Sequence, residues 1–199
     1  MMLVEETSVA AAVLPLAAFK EHLRLGTGFS DDAVQDAVLE GFLRAALAAI
    51  EARTGKALLH RDFSWNLTVW RDARGQALPV APVQGIVEVV LTDRLGETEV
   101  VDPALYRLVA DEQRPRLMPS GFMLPSVPLG GTVEVSFTAG YAAAWSDLPA
   151  DLAQAVLLLA AHYYEFRHET QLGDGCMPFG VTSLIERYKT VRLLGGGTS

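Results

Sequence analysis

The residues best equipped for chemistry lie in LPADLAQAVLLLAAHYYEFRHE, residues 148–169, where His162, Glu165, His168 and Glu169 close a strongly apolar run. Imidazoles and carboxylates are the donors of zinc and iron sites and the usual general acids and bases. Glu165-Phe166-Arg167-His168 has the ExxH spacing of di-iron bundles, which need a second ExxH and two more carboxylates on facing helices. The other helical segments supply no second copy.

A helical projection at about 100° per residue separates the four groups. Leu152, Val156, Leu159, Tyr163 and Phe166 form a narrow stripe, the expected core face. His162, Glu165 and Glu169 flank that stripe on one edge, whereas His168 lies on the far side with Leu157, Ala161 and Tyr164. One ion cannot collect all four, so the reading assigns no metal and no catalytic residue. A metal-dependent enzyme using His162, Glu165 and His168 remains the first alternative.

The other reactive groups are isolated. Cys176, the single cysteine, lies in the glycine-rich loop QLGDGCMPFG with no nucleophile signature around it, and it excludes an intrachain disulfide. That loop follows a helix and lacks the GK[ST] of a phosphate cradle, so it reads as a hinge. No cofactor is expected.

The elements that must position these residues follow from periodicity. Pro15 can open a short helix with Leu16, Phe19 and Leu23 on one face, ending near Gly26. Ser30-Asp31-Asp32 then caps a long helix that runs to Thr54, with Gly55 as its stop. Beyond Gly55 the period becomes two: Phe63, Trp65, Leu67 and Val69 alternate with polar residues, the pattern of a half-buried strand. Further strands are predicted at 84–92, 97–101, 105–109 and 132–138, with the proline-rich RPRLMPSGFMLPSVPLGG as a connector. Helix returns from Pro149 to about His168, and again from Val181 to Leu193.

The predicted fold class is α+β: a bundle of about four helices with a small antiparallel β unit inserted between the second and third. Residues 14–56 and 148–193 make the helical core, 57–147 the β insertion and 194–199 a flexible tail, all within a single domain of 199 residues.

Half of the residues are hydrophobic and 20% are charged, a globular composition. A net charge of −8 argues against a surface that grips nucleic acid, because that affinity comes from Lys and Arg displacing counterions. Glu5 and Glu6 stand where a signal peptide needs basic residues. The run nearest to an uncharged apolar span, Leu152 to Tyr164, has thirteen residues, too few for a membrane span. The expectation is a protein made in the cytoplasm, with no membrane partner.

What remains unusual is the third long helix. Leu157, Leu158, Ala160, Ala161 and Tyr164 cover the side opposite its core stripe, and a helix apolar all round is buried all round. A neighbouring subunit is the natural extra cover. The expected subunit interface is Leu157, Ala161 and Tyr164, with Glu165 and Arg167, beside His162, as polar contacts at the helix end.

The order of these segments carries a family resemblance. LPLAAFKEHLRL and DDAVQDAVLEGFLRAALAAIEARTGKAL, followed by FTAGY and DLPADLAQAVLLLAAHYYEFRHE, resemble the head-tail connector (adaptor) proteins of long-tailed phages. LPVAPVQGIVEVVLTDRLG and GTVEVSFTAGY look like the β insertion of one prophage branch, and the likeness leans toward the members found in alphaproteobacterial gene transfer agents, which are domesticated phage-like particles. Membership implies a non-enzymatic virion structural protein at the neck, the head-tail junction. It implies a ring of copies, a dodecamer in the family, between the portal protein and the stopper or tail-completion proteins. Double-stranded DNA would pass through that ring without sequence recognition. The family's C-terminal segment docks on the portal, which here maps to Tyr188, Lys189, Val191, Arg192, Leu193 and Leu194. A cytoplasmic protein-binding module is the second alternative.

Overall fold

The computed structural model describes residues 1–24, 33–167 and 177–189, with the side chains of residues 33 and 34 left aside. Two compact units divide the chain: 1–15 with 56–149, and 16–55 with 150–199. Each is therefore built from two separated stretches of sequence.

Among the described residues the second unit holds four α-helices: α1 (Leu16–His22), α2 (Ala33–Thr54), α3 (Ala150–Glu165) and α4 (Phe179–Ile185). α2 packs on α3, α3 on α4, and α1 touches both α2 and α3. The core comprises Phe19, Leu39, Leu43, Ala46 and Ile50 with Leu152, Ala155, Val156, Leu159 and Ile185, each essentially inaccessible to solvent. α2 stops as the sequence predicts: Gly55 takes φ +69°, and its N–H donates to the Glu51 carbonyl at 2.8 Å. The predicted cap at Ser30 to Asp32 lies outside the described residues.

The last predicted helix, 181–193, differs. It begins two residues earlier, at Phe179, and its α-helical part ends at Ile185 before a 3-10 turn from Glu186 to Tyr188. Tightening of a final turn is a common way for a helix to end.

Every strand pair of the first unit is antiparallel, beside two isolated parallel bridges, Lys56 with Ala81 and Leu59 with Ala142. Its five-stranded sheet has the order β1-β2-β8-β4-β5, from Met2–Glu5, Arg61–Leu67, Thr132–Ala139, Val83–Thr92 and Thr98–Val100. A three-stranded sheet, β3-β7-β6, is formed by Gln76–Ala77, Arg116–Pro119 and Tyr106–Val109. Strict alternation along β8 buries Val133, Val135, Phe137 and Ala139 and leaves the intervening residues half-exposed. Phe63 on β2 is paired with Phe137, and their rings stack at 5.6 Å. Trp65, Leu67, Val89, Leu91, Tyr106 and Leu117 complete one core shared by both sheets.

Three strands escape the sequence reading. β1 is a four-residue strand whose exposed, half-exposed pattern gives almost no periodic signal. β3 has only two residues. β7 lies inside the proline-rich connector, with Pro115 just before it and Pro119 as its last residue, and proline argues against a strand. It is nevertheless the middle strand of its sheet, with Leu117 fully buried.

Candidate subunit-contact and docking surfaces

α3 carries the expected interface. Leu152, Val156 and Leu159 of the predicted core stripe are buried, while Tyr163 and Phe166 are half-buried, so the stripe is driest in its first three turns. The opposite side is partly covered by the chain itself. Ala160 and Ala161 are 0% and 8% exposed, because α3 is sheltered on more than its stripe. Tyr164 meets Phe42 of α2 edge-on, with ring centroids 5.9 Å apart. Leu157 and Leu158 stay half-buried.

The polar end of α3 is organised around Tyr164. The Arg167 guanidinium sits 4.5 Å over the Tyr164 ring and donates to the Tyr164 carbonyl at 2.7 Å. A cation over an aromatic face with a hydrogen bond to the same residue closes the helix C-terminus, where a positive charge is favoured. Glu165 is exposed.

His162 is not assembled into a donor set. Its ring lies 4.6 Å from that of Phe166, and its Nε2 is buried without a hydrogen-bond partner among the described residues. Among the described residues no three His, Cys, Asp or Glu side chains converge to hold an ion. His168, Glu169 and Cys176 lie outside the described residues.

The expected docking segment starts from a fixed point. Tyr188 is 5% exposed and donates its phenolic hydrogen to Asp151 Oδ1 at 2.7 Å, while Arg187 pairs with Asp151 Oδ2 at 2.8 Å. Burial, and then acceptance of its hydrogen by the Asp151 carboxylate, raise the Tyr188 phenol above its ordinary range. Lys189 pairs with Glu186 at 2.5 Å. Val191, Arg192, Leu193 and Leu194 lie outside the described residues.

The sequence reading passed over a recess in the first unit. It encloses about 390 Å³ and is bordered by Trp65, Arg71, Asp72, Leu78, Arg114 and Arg116 among others. Its arginines stand far apart in the sequence, Arg71 in WRDARG and Arg114 and Arg116 in the proline-rich connector, and the pairing of β3 with β7, neither of them foreseen, brings them together.

Among the described residues no helix is long and apolar enough to cross a membrane. No family model matches the chain, and no curated protein matches it. Solved structures do. A chain from the neck of an empty gene transfer agent (GTA) particle, computed with C6 symmetry, is 55% identical, with a TM-score of 0.89 over 98% of this chain and 99% of that one. A chain from the virion of a native GTA particle is also 55% identical, with a TM-score of 0.87 and the same coverage. A chain from the neck of a native GTA particle, computed with C12 symmetry, is 52% identical with a TM-score of 0.84. Identity at this level over essentially both whole chains leaves the relationship in no doubt: the chain belongs to the head-tail connector family, in the branch found in gene transfer agent particles.

Proposed function

We propose that the chain is a structural adaptor subunit in the neck of a gene transfer agent or phage-like particle. Copies form a ring between the portal and the stopper or tail-completion proteins, and double-stranded DNA passes through it without sequence recognition. The observation that carries this reading is the end-to-end similarity, at 55% identity, to a chain from a GTA neck. Neck structures computed with C6 and C12 symmetry support a rotational ring. The net charge of −8 suits a channel component that must not retain an exiting duplex.

On this reading the half-buried Leu157 and Tyr164, with Glu165 and Arg167, contribute to contacts between copies, and the segment after Lys189 reaches the portal. Tyr188 acts as the root of that segment, because its ring is already committed to α3. No step of chemistry is assigned to the protein.

Two measurements test the proposal. Particles purified from the producing bacterium should contain the chain by mass spectrometry, and a reconstruction should place it at the head-tail junction. Truncation after Lys189 should leave the fold intact and abolish capture by purified portal. A chain missing from particles, or portal capture unchanged by the truncation, would overturn the ring and the dock respectively.

A further inference from the structure

The recess in the first unit and the turn joining β4 to β5 are complementary in charge. Three arginines, Arg71, Arg114 and Arg116, border the recess against one carboxylate, Asp72. In a chain of net charge −8 this is a local inversion of sign. Arg116 is engaged with Asp72 at 3.3 Å and with the Gly75 carbonyl at 2.7 Å. The Arg71 guanidinium reaches the Met1 sulfur at 3.3 Å, a weak acceptor that leaves most of its donor capacity unspent. Trp65 forms part of the wall, and its indole N–H is buried with no acceptor among the described residues. Buried donors are normally paired, so this one calls for an explanation. Leu78 and Ala77 add apolar lining.

The opposite edge of the same sheet presents the counterpart. In the turn TDRLGETEV, Leu95 is 78% exposed, and Glu97 and Glu99 are exposed beside it, with Arg94 as the one cation among them, so the turn is acidic on balance. The turn is already ordered: Asp93 Oδ1 accepts from the N–H of Leu95 at 2.7 Å and of Glu97 at 3.0 Å, and Gly96 takes φ +89°. An ordered tip loses little entropy when it inserts into a partner.

The two features lie toward opposite edges of the five-stranded sheet. One cross-strand row runs Met2, Asn66, Glu134, Val90, Val100, from the edge strand β1 to the edge strand β5, about 19 Å at roughly 4.8 Å per strand. Met1 of the recess precedes the first end of that row, and the turn begins two residue pairs beyond the other, past Thr92 and Thr98. A patch on one edge that fits a different patch on the opposite edge makes a head-to-tail contact, the kind that closes into a ring when the rotation allows.

We propose that the β4–β5 turn of one copy inserts into the recess of the next, with Leu95 against Leu78 and the Glu97 and Glu99 carboxylates facing Arg71 and Arg114. This rests on the ring reading above. A concave pocket with apolar lining favours an acidic, leucine-tipped hairpin over the phosphates of a stiff duplex.

The test uses the full chain in purified particles. In a Cys176→Ser background, Leu95→Cys and Ala77→Cys together should give, with a short bifunctional thiol reagent, a ladder of cross-linked oligomers; each substitution alone should give monomer. Particles that carry the double variant at the normal level but yield only monomer would overturn the contact and leave the ring standing. Absence of the unaltered chain from particles would instead remove the ring, and this contact with it. Charge reversal provides a second arm should the cysteine variant fail to incorporate. Arg71→Glu with Arg114→Glu, or Glu97→Arg with Glu99→Arg, should each lower incorporation roughly tenfold, and all four together should restore it. No restoration would count against the pairing. Normal incorporation of the Arg71→Glu, Arg114→Glu chain with loss of DNA from the particles would assign the recess to duplex phosphate and overturn it as well.

Discussion

The Tyr188 hydroxyl donates to the Asp151 carboxylate at 2.7 Å, fastening the last described turn of the chain to the first turn of α3. Asp151 also pairs with Arg187, so one carboxylate holds two consecutive residues of the root from which the C-terminal segment leaves.

Tyr188→Phe should therefore cost about 1 kcal/mol in urea unfolding, the usual value of one such hydrogen bond. The pH dependence has a definite sign. The folded-state pKa is raised, first by burial and then by the bond to Asp151. The contribution is thus complete below the unfolded tyrosine value of about 10 and is lost as pH rises through the folded value. A urea series carried into the alkaline range should show this loss in the native chain and not in the variant.

Leu157→Asp and Ala161→Glu should part company. Leu157 is half-buried, so its aspartate variant should stay within about 1 kcal/mol of the native stability and lose incorporation into particles. Ala161 is 8% exposed, and a glutamate there places an unpaired charge in the chain's own interior, costing about 3 kcal/mol or more. Thermal unfolding of the two purified monomers distinguishes them.

Lys56 is 2% exposed, and its ammonium donates to the Glu112 carbonyl at 2.6 Å and to Gln113 Oε1 at 3.0 Å. Desolvation lowers its pKa, an effect that the nearby Asp111 and Glu112 charges oppose. A lowered folded-state value means the unfolded chain holds the proton more tightly. Stability should therefore rise with pH between the folded value and the unfolded value of about 10.4. Lys56→Met should remove that rise while loosening the loop around Glu112, readable as faster amide exchange there.

Gly131→Ala should be severe. A Cβ at that position would stand 2.1 Å from the Thr92 carbonyl oxygen, at the base of the β4–β5 turn. Backbone must shift to admit it, and a loss of about 2–4 kcal/mol in chemical denaturation is expected.

The sequence was most legible where periodicity ran long. α2 is close to its expected span because its apolar pattern repeats over 22 residues, and β4 runs close to its expected span although two register shifts interrupt its alternation. β7 was hidden by Pro115 and Pro119, since a strand whose prolines fall at its ends looks like a broken one. On α3 the projection picked out Leu152, Val156 and Leu159, which are buried, but it could not see that Phe42, more than a hundred residues earlier, covers Tyr164. The recess was illegible for the same reason: Arg71 and Arg114 become neighbours only through pairing that carries no local signal.

The division of the chain at 15/16, 55/56 and 149/150 has a mechanical side. Two units joined by one linker transmit force through one peptide. Here the polypeptide crosses three times, so a pull on either unit is shared among three covalent connections. Neither unit can be excised as a continuous fragment; on the ribosome the first is complete only when residue 149 has emerged, and the second only later still. For a protein of a particle neck, redundancy of attachment means that no single peptide carries a load alone.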